Sequence, residues 1–189
     1  NTNWIAVAAN YNYSLGLRQG GVIEFWGTGY FGVTNMPSPN TNFMAIAAGG
    51  NYHALALKSD STIIGWGLNN SNQTTVPSPN TNFVAVSAGY MHSLGLKRDG
   101  SIVAWGANGS GQTDVPEPNT NFIAIAAGHF HSLGLKSDGT IVAWGDNTSG
   151  QTTVPEPNSN FVAISAGGAA GVYGHSIALK SDGTIVGWG

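Results

Sequence analysis

The sequence predicts an all-β propeller, on three observations. One phrase recurs five times: aromatic-led apolar runs begin at Trp4, Phe43, Phe83, Phe122 and Phe161, spaced 39 or 40 residues apart. Each copy closes on an Ile-x-x-Trp-Gly type segment, with the tryptophans at Trp26, Trp66, Trp105, Trp144 and Trp188. No stretch repeats apolar residues near every 3.6 positions over ten or more residues, as a helix would require. A period of this length holds about four short strands, the content of one propeller blade. The expectation is a propeller, or part of one, of five four-stranded blades over residues 1–189. Its repeats are 1–39, 40–79, 80–118, 119–157 and 158–189, the last lacking its outer strand.

The fourth copy shows why each element is expected. Phe122-Ile-Ala-Ile-Ala-Ala127 is apolar at every position, the pattern of a strand covered on both faces. His131-Ser-Leu-Gly-Leu-Lys136 alternates leucines with small residues, so one face is oily and the other admits a close neighbour. Asp138-Gly139 provides the positive backbone angles of a tight hairpin, repeated at Asp99-Gly100 and Asp182-Gly183. Thr140-Ile-Val-Ala-Trp144 reads as a third strand and Gln151-Thr-Thr-Val154 as a polar outer one. All eight prolines fall in Pro-x-Pro connectors at 37/39, 77/79, 116/118 and 155/157, where a residue without an N–H ends pairing. Their strict periodicity favours a stiff crossover over a ligand for an aromatic groove.

Composition narrows the function classes. Only 8% of the 189 residues are charged, and the net charge is −3. Five of the six cations (Arg18, Lys58, Lys97, Lys136, Lys180) share one repeated position and only Arg98 is extra, so no basic patch for nucleic acid is expected. Apolar runs are too short for the ~18–20 residues of a membrane span, and no secretory or transit segment is visible. Without cysteine there are no disulfides and no thiolate chemistry. Abundant Asn, Thr, Ser and Gly with little Lys suggest an extracellular or cell-surface setting. Asn-x-Ser/Thr triplets stand at Asn12, Asn69, Asn72, Asn108 and Asn147, and matter only in a glycosylating host.

The compound motif Ala-Gly-x-x-His-Ser-Leu-x-Leu-Lys-x-Asp-Gly, followed by Val-x-x-Trp-Gly-x-Asn-x-x-Gly-Gln, runs from Ala88 to Gln112 and from Ala127 to Gln151. It resembles the repeat of the regulator-of-chromosome-condensation family. The short period and the Gln-Thr-Thr-Val-Pro ending resemble its compact bacterial branch, which includes a secreted propeller-type inhibitor of β-lactamases. The resemblance implies a rigid binding propeller, usually of seven blades against the five copies here. An uncovered blade edge invites pairing with another chain, so self-association through open edges is a further expectation.

Function is sought where the copies differ. The loop between first and second strands varies in length, Gly167 to His175 being the longest, and carries Tyr11, Tyr52, Tyr90, Met91, His129, Phe130 and Tyr173. Insertions on one face of a repeat array commonly mark its binding face, and these side chains are enriched at recognition surfaces. The matching loops of the resembled inhibitor contact its target, which implies a binding face for a protein partner at these seven residues. The rival role for the rings is to cap the strand ends. A lectin-like face stacking on sugars, or a structural or adhesion module, are the alternatives.

No catalytic constellation or cofactor is expected. His53, His92, His131 and His175 hold one register, with Tyr13 in the first copy. A metal needs nitrogens within ~2.0–2.1 Å of one ion, so these histidines are expected to hydrogen-bond neighbouring backbone instead. Asp60, Asp99, Asp138 and Asp182 are turn residues, Glu117 and Glu156 lie in the connectors, and Glu24, Asp114 and Asp146 fall in different copies. Nothing brings two carboxyls to one cleft as a glycosidase would need. Ser93, Ser132 and Ser176 each follow a histidine, and adjacent strand residues face opposite ways.

Overall fold

The computed structural model describes residues 2–168 and 174–189. It contains five antiparallel three-stranded sheets in chain order and, among the described residues, no helix. The first sheet is β1 (Trp4–Asn10), β2 (Tyr13–Arg18) and β3 (Ile23–Gly27). The second is β4 (Phe43–Ala48), β5 (His53–Lys58) and β6 (Ile63–Gly67), and the third β7 (Phe83–Ala88), β8 (His92–Lys97) and β9 (Ile102–Gly106). The fourth is β10 (Phe122–Ala127), β11 (His131–Lys136) and β12 (Ile141–Gly145), and the fifth β13 (Phe161–Gly167), β14 (His175–Lys180) and β15 (Ile185–Trp188). Residues of all five repeats, among them Asn10, Gly50, Gly89, Gly128 and Gly167, line one depression of about 60 Å³. The sheets therefore fan about a common centre, as blades do.

The core lies between sheets. Phe83 of the third repeat packs on Leu55, Leu57 and Ile63 of the second, with Trp105 and Val86 beside it. The same knobs recur in the next joint, where Phe122, Trp144 and Ile125 meet Leu94, Leu96 and Ile102. The middle strands of the first four repeats are each buried by the aromatic-led strand of the following repeat, and apolar burial at about 25 cal/mol per Å² drives the stacking. The small residue in the middle strand has a different cause from a neighbour's approach. A Cβ on Gly134 would lie 2.5 Å from Phe122 of its own repeat, so this ring sits directly over glycine, where the second and fifth repeats carry Ala56 and Ala178.

Two expectations are corrected. The aromatic-led strand is not covered along both faces. Each carries a bulge after its first residue, and the extra residue (Ile5, Met44, Val84, Ile123 or Val162) is turned out of the ladder and exposed. The blades also have three strands, not four. Gln73 and its counterparts Gln112 and Gln151 are buried in a run of turns. The Gln73 side chain accepts the Ser71 N–H, and its carbonyl accepts both the Trp105 indole N–H and the Ser93 hydroxyl of the next repeat, at 2.9 and 2.8 Å. Side chains across the joint occupy the backbone acceptor that a fourth strand would have used.

The Pro-x-Pro connectors end in a clamp. Asn80 accepts the Ile63 N–H and donates to the Ile63 carbonyl, both at 2.8 Å. Asn40, Asn119 and Asn158 do the same at Ile23, Ile102 and Ile141. Each amide side chain thus mimics a strand partner and fixes where the next repeat begins.

Candidate functional site

The loops between first and second strands lie at the end of the fan where the Trp-Gly segments finish, as the pairing of His92 with Gly106 shows. In the first two repeats they build one ring cluster. Tyr52 sits at its hub, 5.4 Å from Tyr30 in an edge contact, 5.8 Å from Phe31 and 6.4 Å from Tyr13. Tyr13 stacks in turn on Phe25 at 5.7 Å, and Asn12 donates to the Tyr52 hydroxyl at 2.8 Å. Tyr30 and Phe31 are 55% and 62% exposed, so the upper surface of the cluster faces water while its base is packed. Tyr52 and Phe31 hold left-handed backbone angles of 53° and 55°, which side-chain packing must maintain.

A second cluster joins the third and fourth repeats. Tyr90 stacks on His129 at 4.0 Å, and Phe130 stands edge-on to both at 5.7 and 4.3 Å. His129 is buried, and its pKa lies below the ordinary value because burial disfavours the cation more than the Gly168 backbone hydrogen bond favours it. Phe130 is exposed, Tyr90 and Met91 are half-buried, and the Met91 carbonyl accepts the Ala107 N–H. Tyr11 is exposed beside the central depression. Tyr173 lies outside the described residues. Of the predicted residues, Tyr90, His129 and Phe130 thus cluster together, Tyr52 joins rings outside the predicted set, and Tyr11 stands near the axis.

Tyr30 and Phe31 escape a search for insertions. The segment from Gly27 to Pro37 has the same length as that from Gly67 to Pro77, so the copy looks unexceptional in spacing. The readable signal is substitution: Gly29-Tyr-Phe-Gly32 replaces Asn69-Asn-Ser-Asn72. The charge pattern is also informative. All six Lys and Arg residues lie at or just after the far end of a middle strand, at the opposite end of the fan. The acids in the loops of the aromatic end are engaged locally: Asp146 accepts from Thr148 and Gln151, and Asp114 accepts from Asn108. This face can recognise through rings, amides and backbone, with little long-range charge.

The buried histidines are not directed at an ion. His53, His92 and His131 point Nε2 at the hydroxyls of Ser93, Ser132 and Ser176 in the following repeat, at 3.3, 3.0 and 2.9 Å. For His92 and His131 the partner is thus a serine across the joint, which corrects the expected backbone partner, while His53 meets both Ser93 and the His92 backbone. Each serine hydroxyl donates to a glutamine carbonyl, at 2.8 to 2.9 Å. It must therefore accept from the imidazole, which fixes the proton on Nε2 and leaves Nδ1 bare and unpartnered. A histidine that donates to serine has the opposite polarity to the base of a catalytic dyad. The ring fits only over glycine: a Cβ on Gly128 would fall 2.2 Å from His131 Cε1. In the first repeat Tyr13 replaces histidine, and Ala54 replaces the serine opposite. The Tyr13 hydroxyl donates past it to the carbonyls of His53 and Gly49, at 2.6 and 3.1 Å.

Three stretches, 45–73, 83–112 and 122–151, match the regulator of chromosome condensation (RCC1) repeat. They fall in the second, third and fourth sheets. No curated protein matches the chain in sequence. Among solved structures it is similar to Prp20p from Saccharomyces cerevisiae, with a TM-score of 0.79 and 21% identity over 98% of this chain and 58% of that one. The ectodomain of the Physcomitrella patens receptor kinase CR4 gives 0.81 and 23% over 98% and 52%, and human WBSCR16 gives 0.77 and 18% over 100% and 62%. The chain thus spans about half to three-fifths of the length of these structures. Three of the five repeats thus match the RCC1 repeat in sequence, and all five sheets stack as propeller blades in a fold similar to that of Prp20p.

Proposed function

We propose that the chain is a non-enzymatic scaffold that binds a protein partner on the aromatic end of the fan. The observation that carries this reading is the cluster of Tyr30, Phe31 and Tyr52, exposed above and packed below. Exposed apolar groups gathered in one patch are costly unless covered, and rings already held in place lose little freedom on binding. Tyr11, Phe130 and the half-buried Tyr90 extend the same face. The fold relatives are consistent with a binding role. Prp20p has been studied for its binding to Gsp1p and histones, and yeast RCC1 (Prp20) has been crystallised with Kap60 bound. An inhibitor-like role and an extracellular setting belong to this proposal and rest on motif resemblance and composition.

The test is site-specific photocrosslinking in the source cells, with benzoylphenylalanine at position 31 or 130 and, as a control, at the exposed position 137 in a far-end turn. A discrete protein adduct from the first two positions and not the third supports the reading. Equal labelling at both ends, or no adduct, overturns it. Specific hits on a glycan array that vanish in Tyr30→Ala/Phe31→Ala would replace the protein partner with a carbohydrate.

A further inference from the structure

Between the two ring clusters lies a cleft of about 190 Å³, lined by Tyr11, Gly50, Asn51, Tyr52 and Tyr90. Loops of the first three repeats form it, and Tyr52 and Tyr90 belong to repeats that have a neighbour on both sides. The cleft shares Tyr11, Gly50 and Tyr90 with the central depression of about 60 Å³, so the two adjoin. Its rings are held in place from behind. Tyr52 leans on Tyr13 and Tyr30, and Tyr90 lays one face on His129 at 4.0 Å.

The lining offers acceptors and ring faces more than donors. The N–H groups of Gly50, Asn51 and Tyr90 are taken by the carbonyls of Gly89, Tyr90 and His129 in the following loop, at 2.9, 3.1 and 3.4 Å. An anion, which is cradled by successive free N–H groups, finds none of these three available. Tyrosine faces attract cations. His129 is buried in the wall of the depression, where it bonds the Gly168 backbone and leaves Nε2 without a partner among the described residues. Burial keeps the ring uncharged at neutral pH, so Nε2 presents a bare lone pair. All six Lys and Arg residues lie at the opposite end of the fan, and nothing here repels a positive charge.

We propose that the cleft and the depression together take one lysine side chain of the protein partner, its methylenes against Tyr11, Tyr52 and Tyr90 and its ammonium directed at His129 Nε2. This deepens the protein-binding reading and rests on it. An ammonium has three donors and no acceptor, the complement of such a lining. The depression is small, which suits a compact ammonium on a thin stem better than the planar fork of arginine. The cleft opens to water beside the exposed Tyr11, so the cation keeps part of its hydration. No charged side chain lines either space, and the contact stays nearly insensitive to salt.

The probe is the end-blocked peptide Gly-Gly-Lys-Gly-Gly, titrated into the isotope-labelled full chain and followed by amide NMR. Saturable shifts are expected at Gly50, Asn51 and Tyr90, with a Kd of about 1–10 mM, and none at Gly100 or Gly139 of the far end. Acetylating the lysine removes the charge and should weaken binding by about 5–30-fold. His129→Phe keeps a ring under Tyr90 but removes the lone pair, and should weaken binding by about 5-fold or more. Tyr11→Leu changes an exposed position and should weaken it by about 3-fold or more with far-end resonances unmoved, so the test survives if His129→Phe disturbs the loops. No saturable shift up to about 20 mM, equal affinity for the acetylated peptide, tighter binding of an arginine peptide, or full affinity in both variants would overturn the proposal. The signal is independent of crosslinking. An adduct at position 31 or 130 without lysine binding refutes the lysine pocket alone, and lysine binding without an adduct supports the pocket while refuting the partner.

Discussion

Acidification should unfold this protein in a window set by the His–Ser ladder. Burial pushes His53 and His131 down to about 4 and His92 to about 3, and neighbouring imidazoles push His92 and His131 the same way. In the unfolded chain each takes up a proton as the pH falls through about 6.5. In the folded chain each stays neutral until the pH reaches its lowered value. Between those limits the unfolded state binds more protons, so the stability is fully present above about 6.5 and is lost as the pH falls toward 4. Three such groups give a slope of up to about 4 kcal/mol per pH unit near pH 5, a large share of a typical folding free energy. The turn carboxylates act lower. Hydrogen bonds from the side chains and backbone of Thr62, Ser101, Thr140 and Thr184 hold Asp60, Asp99, Asp138 and Asp182 below the ordinary value, so their contribution is lost only below about pH 4. Urea midpoints measured between about pH 7 and about pH 5 read the histidines alone. The decisive variant is His92→Tyr with Ser132→Ala, which copies the Tyr13–Ala54 pair two joints along. It should fold and lose up to about a third of the pH slope, since the lowered His129 contributes in the same direction. A urea midpoint that does not move over this interval, or a double variant with the full slope, would refute the reasoning.

Other outcomes follow from single contacts. Gly128→Ala should lower stability by about 1–3 kcal/mol, read as a fall in melting temperature, because the new methyl meets the His131 ring. Trp144→Phe keeps the ring's burial and removes the 2.9 Å hydrogen bond to the Gln112 carbonyl, which should cost about 0.5–1.5 kcal/mol in urea unfolding. Asn119→Ala strips both hydrogen bonds from Ile102 and should cost about 1–3 kcal/mol, with the loss showing in hydrogen exchange at the start of β9. A partner captured on the aromatic end should bind with nearly equal affinity at low and high salt, since the six cations lie at the other end. A steep salt dependence in a titration would place the contact elsewhere.

Strand positions and the stacking of repeats were legible because the apolar pattern and the Asp-Gly turns recur in register from Phe43 to Gly183. What periodicity could not reveal was the use made of polar groups across a joint. Gln151-Thr-Thr-Val154 has the composition of an edge strand, yet the Gln151 carbonyl is taken by Ser176 and Trp188 of the next repeat. The histidine register was equally visible, but its serine partner lies 40 to 45 residues ahead, one repeat along. The bulge that exposes Ile123 leaves no mark in an all-apolar run. On the aromatic end, loop length led to Tyr52, Tyr90 and Phe130. Tyr30 and Phe31 entered by replacement without a change of length, where only a comparison of copies residue by residue would find them.

The exchange of Tyr13 and Ala54 for histidine and serine gives the array a grammar. A unit ending one joint in imidazole must be followed by one that opens with a hydroxyl. Otherwise a ring N–H is stranded in a dry interface, at a cost of about 1–3 kcal/mol. Duplication or loss of whole units among the third to fifth keeps every such match, since each opens with serine and closes with histidine. The first and second units are bound to each other, because Ala54 accepts only a tyrosine-bearing predecessor that reaches past it. Growth and shrinkage of this gene by unequal exchange is therefore permitted within one stretch of the chain and penalised at a single junction.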